Sequence, residues 1–134
     1  MDRGRASGVA GAGDARVRVG DIVVAESLVQ HDMDASPLFP RFEVPLTGLS
    51  QLPTDRELSR QLADAARRFL ENEPDGPKLH RGLIGSGDQF INDGVRLAAL
   101  KNNLPELLAV EMEGAAVAQV CFELNVPFAV IRTI

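Results

Sequence analysis

Tryptophan and tyrosine are absent from this chain, and cysteine occurs once, at Cys121. A lone cysteine excludes an internal disulfide framework and fits a reducing cytoplasm. Without Trp or Tyr, phenylalanines such as Phe42, Phe90, Phe122 and Phe128 are the rings left for stacking on a flat ligand. Positive charge is also scarce. Fourteen Lys and Arg face nineteen Asp and Glu, for a net charge of −5, and no basic cluster is visible. Nucleic-acid binding, which relies on neutralising phosphates, is therefore not expected. No apolar run approaches the ~20 residues that span a bilayer, so no membrane partner is expected. Met1 to Gly13 is rich in Gly, Ala and Arg but has no apolar stretch of the secretory kind. No Cys/His spacing suits a metal, and no motif requires a cofactor.

What is present suits one soluble domain. The chain has 134 residues, 45% apolar and 25% charged, enough for a real core. Met1 to Ser7 reads as an irregular segment and Gly8 to Gly13 as a glycine-rich turn. Asp21 to Val29 is a strand. His31 to Leu52 carries Pro37, Pro40 and Pro45, and reads as a loop of a length that is usually functional or at an interface. Thr54 and Glu57 predict a capping box for a helix whose apolar stripe is Leu58, Leu62, Ala65, Ala66, Phe69 and Leu70. Lys78 to Ile84 is a strand, and Asp93 caps a helix to about Asn103. Leu107 to Val110 is a short strand, followed by a helix from about Glu113 to Leu124. Asn125 suits a left-handed position, and Pro127 opens a last strand. Strands alternating with helices predict a layered α/β sheet.

Three stretches carry candidate chemistry. In Val110-Glu111-Met112-Glu113-Gly114-Ala115-Ala116 a strand delivers two carboxylates and a thioether to a helix start built of small residues. Glu113 there has two readings. It complements the helix dipole, worth about 0.3–1 kcal/mol, or it accepts two charge-assisted hydrogen bonds from a ribose diol. Gly85-Ser86-Gly87-Asp88-Gln89-Phe90-Ile91 follows a strand. It is either a glycine turn with Asp88 as a cap, or a loop that lays Phe90 on a base and offers the Ile91 backbone to its edge. Gly8 to Gly13 does not fit the dinucleotide fingerprint G-x-G-x-x-G. His31-Asp32 lacks a nucleophile partner and reads as a structural hydrogen bond at a strand end. Cys121 reads as a small core residue, and His80 as a strand residue without a metal partner.

Together these motifs resemble the 5′-methylthioadenosine/S-adenosylhomocysteine nucleosidase family of the nucleoside phosphorylase superfamily, from about Gly8 to Ile134. Val19-Gly20-Asp21-Ile22-Val23, His31-Asp32, Gly82 to Ile91, Val110 to Ala116 and Val126-Pro127-Phe128 carry the resemblance. It implies an α/β fold with a mixed β-sheet flanked by helices, incomplete here, over residues 8–134. It implies that Phe90 stacks on adenine and the Ile91 backbone reads the purine edge. Met112 would contact ribose, Glu113 would hold its diol, and Glu111 would be the second acidic residue near the sugar and the one catalytic candidate in the chain. Val9 and Ala10 would lie beside the ribose, although the family often has Ser at position 9 and Gly at position 12. The family's water-activating glutamate is expected before Gly8, and its Ser-Asp pair, which protonates the leaving adenine, after Ile134, so the chain reads as truncated at both ends.

The implied function is hydrolysis of an N-glycosidic bond to release adenine, in methionine salvage, by a cytoplasmic homodimer that needs no cofactor and no metal. The substrate is a small nucleoside. A phosphate-dependent purine nucleoside phosphorylase is the alternative enzyme. A non-catalytic remnant that binds nucleoside or a full-length subunit is the alternative of another class. Two further expectations follow. Apolar surface around Ile22, Val23, Val130 and Ile131 is left uncovered at a sheet edge, and His31 to Pro45 lies at a dimer interface through Leu38, Phe39 and Phe42.

Overall fold

The computed structural model describes residues 4–45, 47–89, 91 and 93–134. Among these the order is β1 (Gly4–Val9), β2 (Gly11–Ala12), β3 (Ile22–Gln30), β4 (Gln51–Pro53), α1 (Arg56–Leu70), β5 (Leu79–Ser86), α2 (Gly94–Asn103), β6 (Leu107–Glu111), α3 (Gly114–Glu123) and β7 (Phe128–Thr133). The strands form one mixed sheet in the order β1-β7-β3-β5-β6-β2, with β4 added beside β3. The two ends of that order, β1 and β2, are consecutive in the chain and separated by Ala10 alone. The sheet therefore curls until its ends meet, β1 parallel to β7 and β2 antiparallel to β6.

The closing segment corrects the sequence reading. Residues 4–7 belong to a strand, and Gly8 to Gly13 is more strand than turn. The signal was hidden because Gly and Ala have low strand propensity, and cross-strand pairing overrides it. Gly13 sits where the chain makes a close approach to β6. A Cβ there would stand 3.1 Å from the Ala109 amide nitrogen and from Leu107 Cγ. The expected open edge is also overturned. β7 is paired on both sides, by β1 and by β3, and Val23 and Val130 are fully buried.

β3, β5 and β6 run parallel, and their carboxyl ends lie side by side, with Gln30 opposite Ser86 and Ser86 opposite Glu111. A register shift between Ala25 and Ser27 lets β3 pair with β7 along its first half and β4 along its second. The core has two parts. Val23, Leu28, Ile84, Ala115, Ala118, Phe128 and Val130 pack where α3 lies on the sheet. Val29, Leu83, Leu107 and Val110 pack against Leu100 and Leu104 of the α2 region.

α1 begins one residue later than the capping box requires. Asp55 is the N-cap, and its carboxylate accepts from Leu58 N at 2.9 Å. Thr54 instead donates its hydroxyl to the carbonyls of Ala25 and Glu26, tying the helix start to the β3 irregularity. The buried face is Leu58, Ser59, Ala63 and Ala66, whereas Ala65 and Phe69 are exposed. Asp93 caps α2, accepting from Val95 N at 2.8 Å, and Asn125 takes the left-handed backbone at φ 56°. No helix among the described residues is long and apolar enough to cross a membrane.

Candidate functional site

The carboxyl ends of β5 and β6 meet the start of α3 in one buried polar cluster. Glu111 closes β6 with its side chain almost completely buried. A carboxylate removed from water is costly unless every lone pair finds a donor. Here all are used. Gly114 N donates to both oxygens at 2.8 Å, Glu113 N donates to Oε2 at 3.3 Å, and Ser86 donates its hydroxyl to Oε1. Arg132, itself buried, donates to Oε2 from Nη2 at 2.6 Å and from Nε at 3.2 Å. Ser86 Oγ in turn accepts from Ala115 N at 2.8 Å. Glu111 and Ser86 thus take the free amides of the first turn of α3.

That arrangement settles how the helix end is held. Glu113 occupies the N-cap position but makes no side-chain cap bond, and it is exposed. The capping task falls to Glu111, two residues earlier. Among the described residues the Glu113 carboxylate has no hydrogen-bond partner, and it stands beside the positive end of the α3 dipole. Met112, 42% exposed, stands next to it. Gly114 has no room for a side chain. A Cβ would lie 2.8 Å from Leu28 Cδ2 and 2.9 Å from Glu111 Oε1.

The closing segment brings the N-terminal candidates to the same region. Gly11 pairs with Val110, one residue before Glu111, and Ala10 N donates to Thr133 O at 3.0 Å. Ala10 is buried and Val9 is 79% exposed. Gly8 leaves space for the Arg132 guanidinium, since a Cβ there would be 3.0 Å from Nη1. Arg132 and Ser86 are the members of this cluster that the sequence reading missed. The signal was available for one of them. An arginine inside the apolar run Phe128 to Ile134 must meet a buried acid, and Glu111 at the end of β6 is the acid it meets.

The turn after β5 separates two clefts. One, of about 240 Å³, is lined by Gln30, Asp32, Ser86, Asp88, Met112 and Ala116, among others. The other, of about 300 Å³, is lined by residues including His31, Asp32, Arg41, Gln89, Ile91 and Arg96. Ile91 and Met112 therefore face different clefts, with Asp32 common to both. Phe90 lies outside the described residues. Asp88 does not cap the following helix. Its amide donates to Asp32 Oδ2 at 2.9 Å. His80 binds Asp21 at 2.8 Å, at the far end of the sheet. Burial alone would raise the Asp21 carboxyl, but the amides of Lys78 and Arg18 and the His80 ring together hold it below its ordinary value. Cys121 is half-buried against the core.

A parallel-strand edge that meets a carboxylate-capped helix on a curled mixed sheet is a place where α/β proteins bind small ligands. The chain belongs to the phosphorylase superfamily, whose family profile matches residues 6–134. It is 39% identical over 127 residues to the 5′-methylthioadenosine/S-adenosylhomocysteine nucleosidase of a Marinomonas species, covering 95% of this chain and 53% of that protein. The Neisseria meningitidis nucleosidase of that name, solved with methylthio-immucillin-A, superposes with a TM-score of 0.89 at 34% identity, over 99% of this chain and 55% of that one. The Colwellia psychrerythraea nucleosidase, solved with adenine, gives a TM-score of 0.84 at 35% identity, over 99% and 53%. The chain spans about half the length of the relatives it matches.

Proposed function

We propose that this chain supplies the ribose and purine subsites of a nucleosidase that hydrolyses the N-glycosidic bond of 5′-methylthioadenosine and S-adenosylhomocysteine and releases adenine. One observation carries the proposal. Glu113 is exposed at the start of α3 and free of any capping duty, because Glu111 performs it. A carboxylate so placed is available to accept both hydroxyls of a ribose diol. Met112 beside it suits contact with the sugar, and Val9 and Ala10 border the same edge. The Ile91 backbone is proposed to read the purine edge and Phe90 to stack on the base. Glu111 is assigned a positioning role, since its oxygens are already occupied.

Hydrolysis passes through an oxocarbenium-like state, in which positive charge grows on the sugar. A carboxylate bonded to the diol stabilises that charge more than it stabilises the ground state. Glu113→Gln keeps the shape and forfeits the charge. In the chain joined to the flanking sequence its relatives carry, it should slow adenine release about 10²-fold or more. The melting temperature should stay unchanged. Unchanged release with a lower melting point would make Glu113 a dipole-complementing residue only. Running the assay with and without phosphate separates hydrolysis from the phosphorylase alternative, which would yield a sugar phosphate. Absence of turnover with retained nucleoside binding would favour a non-catalytic binding remnant. Homodimerisation, a cytoplasmic location and a part in methionine salvage belong to the same proposal. The relatives' names bear on the breakdown of methylthioadenosine, and the lone cysteine fits a reducing compartment.

A further inference from the structure

The dipeptide His31-Asp32 follows β3 and is absorbed by none of the roles above. Its contacts converge on the end of β5 and the turn that follows it. His31 N donates to Ser86 O at 2.9 Å, and the Asp32 carboxylate accepts from Asp88 N at 2.9 Å. Between these two bonds the imidazole lies flat against a glycine-lined face. A Cβ at Gly87 would fall 2.3 Å from His31 Cε1 and 2.7 Å from Nε2, and one at Gly85 would fall 3.5 Å from Cδ2. Only glycine at 87 admits the ring. On the opposite side Gly87 N donates to Glu111 O at 3.2 Å. The turn is thus gripped from β3 and from β6 at once.

His31 is 6% exposed, and its Nε2 is buried without a hydrogen-bond partner among the described residues. Among the described residues no hydroxyl or thiol is bonded to it, so it is not poised there to activate a nucleophile. Its shape rather than its proton is what the turn uses. The same two residues line the cleft of about 300 Å³ together with Gln89, Ile91 and Arg96.

We infer that His31 and Asp32 form a positioning clasp that fixes the end of β5 and the turn from Gly87 to Gln89, and so sets the backbone of Ile91 at the edge of that cleft. The inference rests on the nucleoside reading above for its consequence, which is affinity for the purine. Neither residue touches the reacting bond in this scheme. Loosening the clasp weakens base binding without removing a catalytic group.

The test uses the 134-residue chain, with adenine as the probe, read by calorimetry and by the amide resonance of Ile91. Asp32→Ala should shift the Ile91 resonance and weaken adenine binding about tenfold. Asp32→Asn, which still offers an oxygen to Asp88 N, should restore both. Gly87→Ala should weaken binding as well. The double variant His31→Ala with Gly87→Ala should bind no worse than His31→Ala alone, because the clash has lost one partner. An Ile91 resonance and an adenine affinity both untouched in Asp32→Ala would overturn the clasp, as would strictly additive losses in the double variant. If the wild-type chain binds no adenine, the nucleoside reading fails. The Ile91 resonance then decides the clasp alone, supporting it if shifted and overturning it if not.

Discussion

Deleting the Glu111 carboxylate leaves Arg132 charged and buried with nothing opposite it. Breaking a buried pair in this way costs about 3–5 kcal/mol. Glu111→Ala should therefore lower the urea midpoint sharply, and the loss should exceed that of Glu113→Gln, whose side chain is exposed. Equal midpoints for the two variants would contradict the division of labour between them. His31 makes a second prediction at this scale. Burial holds its imidazole below the ordinary 6.5, and Arg96 adds to this, while Asp32 and Glu111 pull the other way. The folded chain thus favours the neutral ring, and the unfolded chain takes up the proton first as pH falls. The stability due to this group is present above pH 6.5 and is lost as pH drops through the lowered value. Melting temperature should fall between about pH 7.5 and 5.5, and His31→Gln should remove part of that fall.

At the scale of elements, caps and registers decide how much the sequence could tell. Asp93 and Asn125 were legible because each acts through its own backbone neighbourhood. α1 was legible as a helix, but its cap was not, because Thr54 is drawn away by the carbonyls of β3, a partner distant in sequence. Asp55→Ala should cost about 1 kcal/mol of stability. Glu57, read as the far end of a capping box, instead pairs with Arg60 one turn on. A circular-dichroism melt showing no loss in Asp55→Ala would place the cap elsewhere. The site shows the same divide. Glu111, Met112 and Glu113 are consecutive and were readable together. Ser86 joins them through the pairing of β5 with β6, and Arg132, whose burial alone was readable, reaches Glu111 through the curl of the sheet, contacts distant in sequence.

For the molecule as a whole, the segment from His31 to Pro45 is the part whose surroundings differ most from expectation. Phe42 is buried in the core, Phe39 is half-buried, and Leu38 is 85% exposed. An interface proposed there has Leu38 as its apolar contact. Leu38→Asp should weaken self-association in sedimentation with little change in melting temperature, since it removes no buried contact. An unchanged sedimentation profile of a dimeric protein would move the interface to another face. The exposed side of α3, with Val117, Val120 and Leu124, is such a face.

The meeting of β1 and β2 with β7 and β6 also sets a schedule. Gly4 pairs with Phe128 and Val9 with Thr133, contacts more than a hundred positions apart along the chain. Residues 4–12 leave the ribosome well before their partners in β6 and β7 are made. Until then the first strand has bare amides and carbonyls, a template for any other extended chain nearby. Contacts of such separation form slowly, since a long loop must close before they contribute. The waiting strand is made largely of small residues, Gly4, Ala6, Ser7 and Gly8, with little apolar surface to recruit a wrong partner. Its poor strand propensity, which hid it from the sequence, is then a protection during synthesis.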